Sequence, residues 1–237
     1  MRQSLKFRHE LKYQIGPHHY YILRQRLSRL LQHDEHAGPN GEYHIRSLYF
    51  DDVNNSALHD KLGGVSDRAK YRIRIYNFSD QVIHFEKKLK KQDYIAKLKE
   101  PLTRQQYEAI LSGNYKSLLE QDKPLLQEIY YLSEHKLLRP KVIVDYIREP
   151  YICSNGNVRI TFDKNLRSGQ YNLELFDQSV PTVPILDDGS MIMEVKYDEY
   201  LPEIIRSSLQ LEGLIRQSAS KYVICRKWLK QNSWEDQ

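Results

Sequence analysis

Short segments that alternate charged and apolar residues recur along the chain, and a period of two commits each of them to a β-strand. The plainest is Lys70-Tyr71-Arg72-Ile73-Arg74-Ile75-Tyr76. Lys70, Arg72 and Arg74 fall on one face, and Tyr71, Ile73 and Ile75 on the other. The pattern returns in Phe85-Glu86-Lys87-Lys88-Leu89, in Val158-Arg159-Ile160-Thr161-Phe162-Asp163 and in Met193-Glu194-Val195-Lys196-Tyr197. One such strand constrains little, because an antiparallel strand commonly wets one face. A set of them could instead line a single basic cavity.

The charged faces can be collected residue by residue. Glu-x-Lys occurs at Glu10/Lys12, Glu86/Lys88 and Glu194/Lys196. Along a strand the two side chains of each pair point the same way, about 7 Å apart. Lys70, Arg72, Arg74, Arg148, Arg159, Thr161 and Asp163 join them. Two accounts compete. Each face is solvated and held by cross-strand ion pairs, or the apolar faces pack outwards under helices and the charged faces point inwards. Like charges facing one another are costly unless a ligand neutralises them. A basic interior is then an anion site, with a few carboxylates left for a cation.

The remaining pattern predicts strands over residues 4–15, 43–50, 67–77, 81–90, 92–99, 140–152, 157–163, 170–176 and 190–197. Asn77-Phe78-Ser79-Asp80 is a hairpin signal. Helices are expected over 18–32, 54–62, 103–111, 123–137, 201–211 and 217–230. Gly16-Pro17 breaks the first strand, Tyr20, Leu23, Leu27, Leu30 and Leu31 form the first helix's stripe, and Pro101 and Pro124 sit where helix starts tolerate proline. Residues 178–189, with Pro181, Pro184 and Gly189, read as a loop rather than a domain boundary. Strands at both ends of the chain with helices between them suggest one α+β domain over residues 1–237 with a large antiparallel sheet.

A formal charge of +5 and a pI near 9.0 favour an anionic partner without naming it. The two cysteines, Cys153 and Cys225, have no metal-type spacing and suit a reducing compartment. With no apolar signal core and no run of about 20 apolar residues, a cytoplasmic protein is expected, able to dock on a membrane partner. Phosphate-loop, dinucleotide, nucleophile-elbow and zinc-protease motifs are missing. His18/His19 and His33/His36 are close pairs without a third ligand. Tyr20-Tyr21 and Tyr130-Tyr131 fit helix packing better than base stacking. Alternation makes Lys87-Lys88-Leu89-Lys90-Lys91 half cavity wall and half solvated strand end, so no nucleic acid is expected.

The ordered blocks His9-Glu10-Leu11-Lys12-Tyr13, Ser47-Leu48-Tyr49-Phe50-Asp51, Lys70 to Arg74, Phe85 to Lys88, Val158 to Asp163, Met193 to Lys196 and Ser220-Lys221-Tyr222 together resemble the VTC domain. This is the catalytic part of the vacuolar transporter chaperone complex, within the triphosphate tunnel metalloenzymes related to CYTH proteins. The resemblance runs from about residue 5 to residue 228. It implies a closed antiparallel β-barrel, a triphosphate tunnel, with helices packed outside. Inside, ATP would give its γ-phosphate to a growing polyphosphate chain with Mn²⁺ or Mg²⁺ bound. By position, Lys12, Arg72, Arg74, Lys88, Arg148, Arg159, Lys196 and Lys221 would contact phosphate, with Lys70 beside them. Glu194 would be the principal metal ligand. Glu10, Glu86 and Asp163 would be lesser ligands or would orient the basic residues. The N-terminal end of the last helix would close one mouth of the tunnel and bring Lys221 inside. A tripolyphosphatase or nucleoside triphosphatase, or a noncatalytic polyphosphate-binding module, are the alternatives within this reading.

Overall fold

A computed structural model of the chain describes residues 5–120, 122–169 and 172–231. Among these residues ten strands are formed: β1 (Arg8–Ile15), β2 (Gln32–His33), β3 (Tyr43–Asp51), β4 (Arg68–Tyr76), β5 (Ser79–Lys91), β6 (Tyr94–Pro101), β7 (Arg139–Cys153), β8 (Val158–Gly169), β9 (Val183–Pro184) and β10 (Met191–Tyr197). Six α-helices accompany them: α1 (Pro17–Leu30), α2 (Ser56–Leu62), α3 (Arg104–Leu111), α4 (Pro124–His135), α5 (Glu203–Ser208) and α6 (Lys221–Gln231). All strand pairs are antiparallel, in the order β7-β3-β4-β5-β6-β1-β10-β8, and β8 pairs back onto β7. The sheet is therefore a closed barrel of eight strands, with β2 and β9 as short additions. Closure removes the free edges that long strands would otherwise present.

The apolar half of each alternating strand faces outwards. Leu48, Phe50, Ile73, Ile75, Phe85 and Ile143 pack with Tyr107 and Ile110 of α3 and with Leu125, Leu126 and Ile129 of α4. On the other side Val158, Ile160, Phe162, Met193 and Val195 pack with Leu23 and Leu27 of α1. Full burial of each such side chain contributes about 1.5–3 kcal/mol. The helices cover these faces, so the charged faces of the same strands can only point into the barrel. A third cluster lies at one end of the interior. There Ile45, Val142, Val144, Tyr146 and Ile192 meet Leu58 of α2 and Tyr222 and Cys225 of α6.

Local sequence explains the boundaries. Pro17 opens α1, and Thr103 with Gln106 forms a reciprocal capping box on α3. Asn77 and Phe78 both take positive φ (49° and 57°), as a two-residue hairpin turn requires. Phe78 is held there by stacking on His44 at 4.2 Å and by Arg46 at 4.5 Å.

Four expectations are corrected. Residues 172–176 are irregular rather than part of a strand, while 170 and 171 lie outside the described residues. The alternation there instead serves a loop pinned by Tyr107, whose hydroxyl donates to Glu174 and accepts from the Leu175 N–H. Pro101 ends β6 rather than opening a helix. The helix expected over 201–211 is shortened to α5, and Leu30, the last residue of α1, is 41% exposed although its spacing keeps it on the face of the buried Leu23 and Leu27. Among the described residues no helix is long and apolar enough to cross a membrane.

Candidate functional site

The inward faces enclose a cavity of about 770 Å³. Among the described residues, sixteen lysines and arginines line it against three carboxylates, Glu10, Asp93 and Glu194. That imbalance exceeds what ion pairing among the lining residues can neutralise. The nine expected basic residues, Lys12, Lys70, Arg72, Arg74, Lys88, Arg148, Arg159, Lys196 and Lys221, all lie on its wall. They come from β1, β4, β5, β7, β8, β10 and α6, so barrel closure alone brings them together.

Glu86 and Asp163 lie behind that wall, almost fully buried, and fix the direction of the cations in front of them. Glu86 accepts from Arg72 at 2.7 Å and from Lys97 at 2.9 Å, with Arg74 at 4.0 Å. Asp163 accepts from Nε and Nη2 of Arg148, at 2.6 and 2.8 Å, and also contacts Lys221. Burial opposes ionisation of both acids, but the arginines outweigh it and hold the carboxyls below their usual range. Tyrosines form a second support. Arg72 donates to the Tyr49 hydroxyl at 2.7 Å, Arg74 to Tyr146 at 3.0 Å and Arg159 to Tyr43 at 2.8 Å.

Glu194 sits among cations: Lys221 at 2.7 Å, Lys196 at 3.0 Å, Lys12 at 3.2 Å and Arg148 at 3.8 Å. Lys12 and Lys196 also reach Glu10, each at 3.6 Å, so the two carboxylates share their counterions. Thr161 is opposite Glu194 in the β10–β8 register, and its buried Oγ1 has no hydrogen-bond partner among the described residues. Two carboxylates and an unpaired hydroxyl are hard oxygen donors, the type that Mg²⁺ and Mn²⁺ prefer. Among the described residues no group of three or more His, Cys, Asp or Glu side chains could hold an ion alone. The donor set fits a divalent ion whose coordination is completed by phosphate oxygens and water.

The electrostatics divide the lysines in two. Burial works against the charge of Lys12 and Lys221, yet their carboxylate neighbours raise both above the ordinary lysine range. Burial wins at Lys88, which falls to about 7 even beside Glu10, and at Lys196. Lys70 is also held well below a normal lysine, because burial is compounded by Lys12, Lys88, Arg68 and Lys61. Its polar contact is the Ser220 hydroxyl at 2.7 Å, and the Tyr222 ring lies 5.3 Å away. Such cations are poised for an anion that the protein itself does not supply.

The model of the VTC domain matches residues 7–230, nearly the whole chain. The chain belongs to the VTC-domain family. No curated protein matches it significantly. Its fold is similar to that of a candidate adenylyl cyclase from Hippeastrum described as having a dominant triphosphatase activity. The identity is 14%, the TM-score 0.56, and the alignment covers 94% of this chain and 96% of that one. A candidate adenylate cyclase from Vibrio parahaemolyticus gives 12% identity and a TM-score of 0.52 over 92% of this chain and 97% of that one. At these identities the likeness establishes the shared triphosphate tunnel fold.

In this VTC domain Lys221 opens α6, and residues 216–221 form part of the cavity wall. The structure adds residues that sequence reasoning did not single out: Lys6, Arg8, Lys61, Arg68, Lys97 and Arg216. The Ala96-Lys97-Leu98-Lys99 alternation could have flagged Lys97, which stands opposite Lys88. Lys61 and Arg216 lie on a short helix and a loop, where no strand pattern marks them. The basic run at 87–91 divides between directions, with Lys88 and Lys90 on the cavity wall and Lys87 bonded to Glu128 outside it. His19 and His33 bond backbone carbonyls of Glu212 and Pro150.

Proposed function

We propose that this VTC domain is an enzyme acting on triphosphates. In this reading it is a metal-dependent polyphosphate polymerase that moves the γ-phosphoryl of ATP onto a growing polyphosphate chain. The observation that carries the reading is the charge imbalance of the cavity wall, sixteen cations against three carboxylates. A chain of phosphates supplies the missing negative charge along the length of such a cavity, and family membership supports an enzyme that handles triphosphates.

The residues divide the work. Arg72, Arg74 and Arg148 are pre-aimed by Glu86 and Asp163, so their remaining N–H groups grip phosphate oxygens without first being ordered. Lys12, Lys70, Lys88, Lys196 and Lys221 act as point charges around the same space. Arg159 completes the wall. Glu194, with Glu10 beside it, would hold a divalent ion, which when bound neutralises charge on the transferring phosphoryl group. In the transfer a terminal oxygen of the polyphosphate forms the new bond to the γ-phosphorus. The bond from that phosphorus to the bridging oxygen breaks, and ADP leaves with the electron pair. No histidine or cysteine lines the cavity, and Ser218 and Ser220 bond Lys61 and Lys70, so no protein nucleophile is called on among the described residues.

Hydrolysis is the second reading, supported by the fold shared with a protein of dominant triphosphatase activity. Water would then take the place of the terminal phosphate. Incubation with ATP and Mn²⁺, followed by measurement of ADP, free phosphate and long polyphosphate, separates the two. ADP with polymer supports the polymerase, and free phosphate without polymer supports the hydrolase. Neither product, with polyphosphate still bound, leaves a binding module and overturns both enzyme readings.

A further inference from the structure

The barrel wall has a weak seam beside β1. Along one edge β1 pairs with β10 over seven residues, His9 to Ile15, but along the other it meets β6 only at Arg8 and His9. Further along that edge the loop before α6 takes over, with Tyr13 bridged to Arg216 and the Gln217 N–H donating to the Lys12 carbonyl at 2.8 Å. Between these contacts, at Glu10 and Leu11, lies a cleft of about 200 Å³. Glu10, Asp93 and Arg216 line both this cleft and the main cavity, so the two adjoin through the wall.

The cleft differs in character from the cavity behind it. His9, Tyr94 and Tyr197 line it, with the His9 ring 4.8 Å from each tyrosine ring. Tyr94 lines the cleft and remains 43% exposed. Asp93 and Arg216 face each other at 3.8 Å, both largely solvated. A pair so exposed and so distant contributes little to stability. It presents one acceptor and one cation to a ligand instead.

We propose that this cleft holds the nucleobase of a nucleoside triphosphate whose phosphates occupy the basic cavity. The base stacks on Tyr94. The Asp93 carboxylate accepts from an exocyclic amine, and Arg216, shared by both spaces, holds the phosphate nearest the sugar. Aromatic rings bind any base through its π-face, and a carboxylate beside them adds hydrogen-bond selectivity. The cleft thereby distinguishes a nucleotide donor from a bare phosphate chain, which uses the cavity alone.

The inference rests on the cavity's being a triphosphate site, and one pair of titrations keeps the two apart. ATP and tripolyphosphate are titrated by calorimetry in EDTA, where metal-dependent turnover cannot consume them. Tyr94→Ala is expected to weaken ATP binding about tenfold, as loss of one base stack does, and to leave tripolyphosphate unchanged. Tyr94→Phe, which keeps the ring, is expected to retain wild-type affinity for ATP. Equal weakening of both ligands, or no change in either, overturns the nucleobase site while leaving the cavity reading intact. Failure of wild-type protein to bind tripolyphosphate overturns the cavity reading and this inference with it.

Discussion

Lys70 and Lys88 stand directly opposite one another in the β4–β5 register, yet only Lys88 has a carboxylate, Glu10, bonded to it at 2.7 Å. Like charges so placed repel. A fold selected for stability alone would replace one of them, so the pair is best understood as half of an interaction that a bound anion completes. Replacing Lys70 tests this. Lys70→Met is expected to raise the Tm of the ligand-free protein by about 2–4 °C, the shift that 1 kcal/mol produces in a chain of this size. The same variant is expected to bind tripolyphosphate about tenfold more weakly, the loss of one charged hydrogen bond. Thermal denaturation and calorimetry read the two effects. A lower Tm would show that Lys70 is a structural cation.

The depressed Lys88 ammonium makes binding pH-dependent. Burial holds it at about 7 in the free protein, so above that pH the side chain is mostly neutral. A phosphate chain favours the charged form and raises that value on binding. The Lys88 contribution to affinity is therefore level below about pH 7 and falls as pH rises through the interval between the free and bound values. Titration of tripolyphosphate near pH 8 in two buffers of different ionisation enthalpy is expected to show uptake of up to about one proton from this group, diminished in Lys88→Met. The same proton balance in the wild type and in Lys88→Met would contradict the assignment.

Glu86 carries a different expectation, because it is buried behind the wall and serves Arg72, Arg74 and Lys97 at once. Glu86→Gln leaves three cations short of their counter-charge. Breaking a buried ion pair from one side costs about 3–5 kcal/mol, so a marked fall in Tm is expected. Tripolyphosphate should then raise the variant's Tm by more than it raises that of the wild type, since the freed arginines gain more from the ligand. Equal shifts would indicate that Glu86 acts on packing alone.

These relationships were legible in the sequence to different depths. Alternation placed Lys70, Arg72 and Arg74 on one face, but it could not say whether that face met water or the barrel interior. The outward packing of Ile73, Ile75 and Phe85 beneath α3 and α4 decides it. Glu86 and Asp163 were marked by position as ligands or orienting groups, and their depth behind the wall, which alternation does not encode, sets them against the arginines. The same alternation misleads at 172–176, where buried Leu175 belongs to a loop held by a tyrosine hydroxyl rather than to a ladder. Arg216 and the cleft beside it depend on where β6 parts from β1, a property of barrel closure with no local signature.

The most direct test of the central claim is whether one phosphate chain binds within the ring of inward-facing cations. Calorimetric titration of tripolyphosphate into the wild type and into Arg74→Ala measures this. Arg74 is 5% exposed, and its guanidinium donates to Ser47 and Tyr146 inside the barrel, so a surface-bound anion would not sense its loss. The account predicts one site per chain in the wild type, weakened with rising salt, and a loss of at least about tenfold in affinity in the folded variant. Absent binding, or binding that Arg74→Ala leaves untouched, would contradict it.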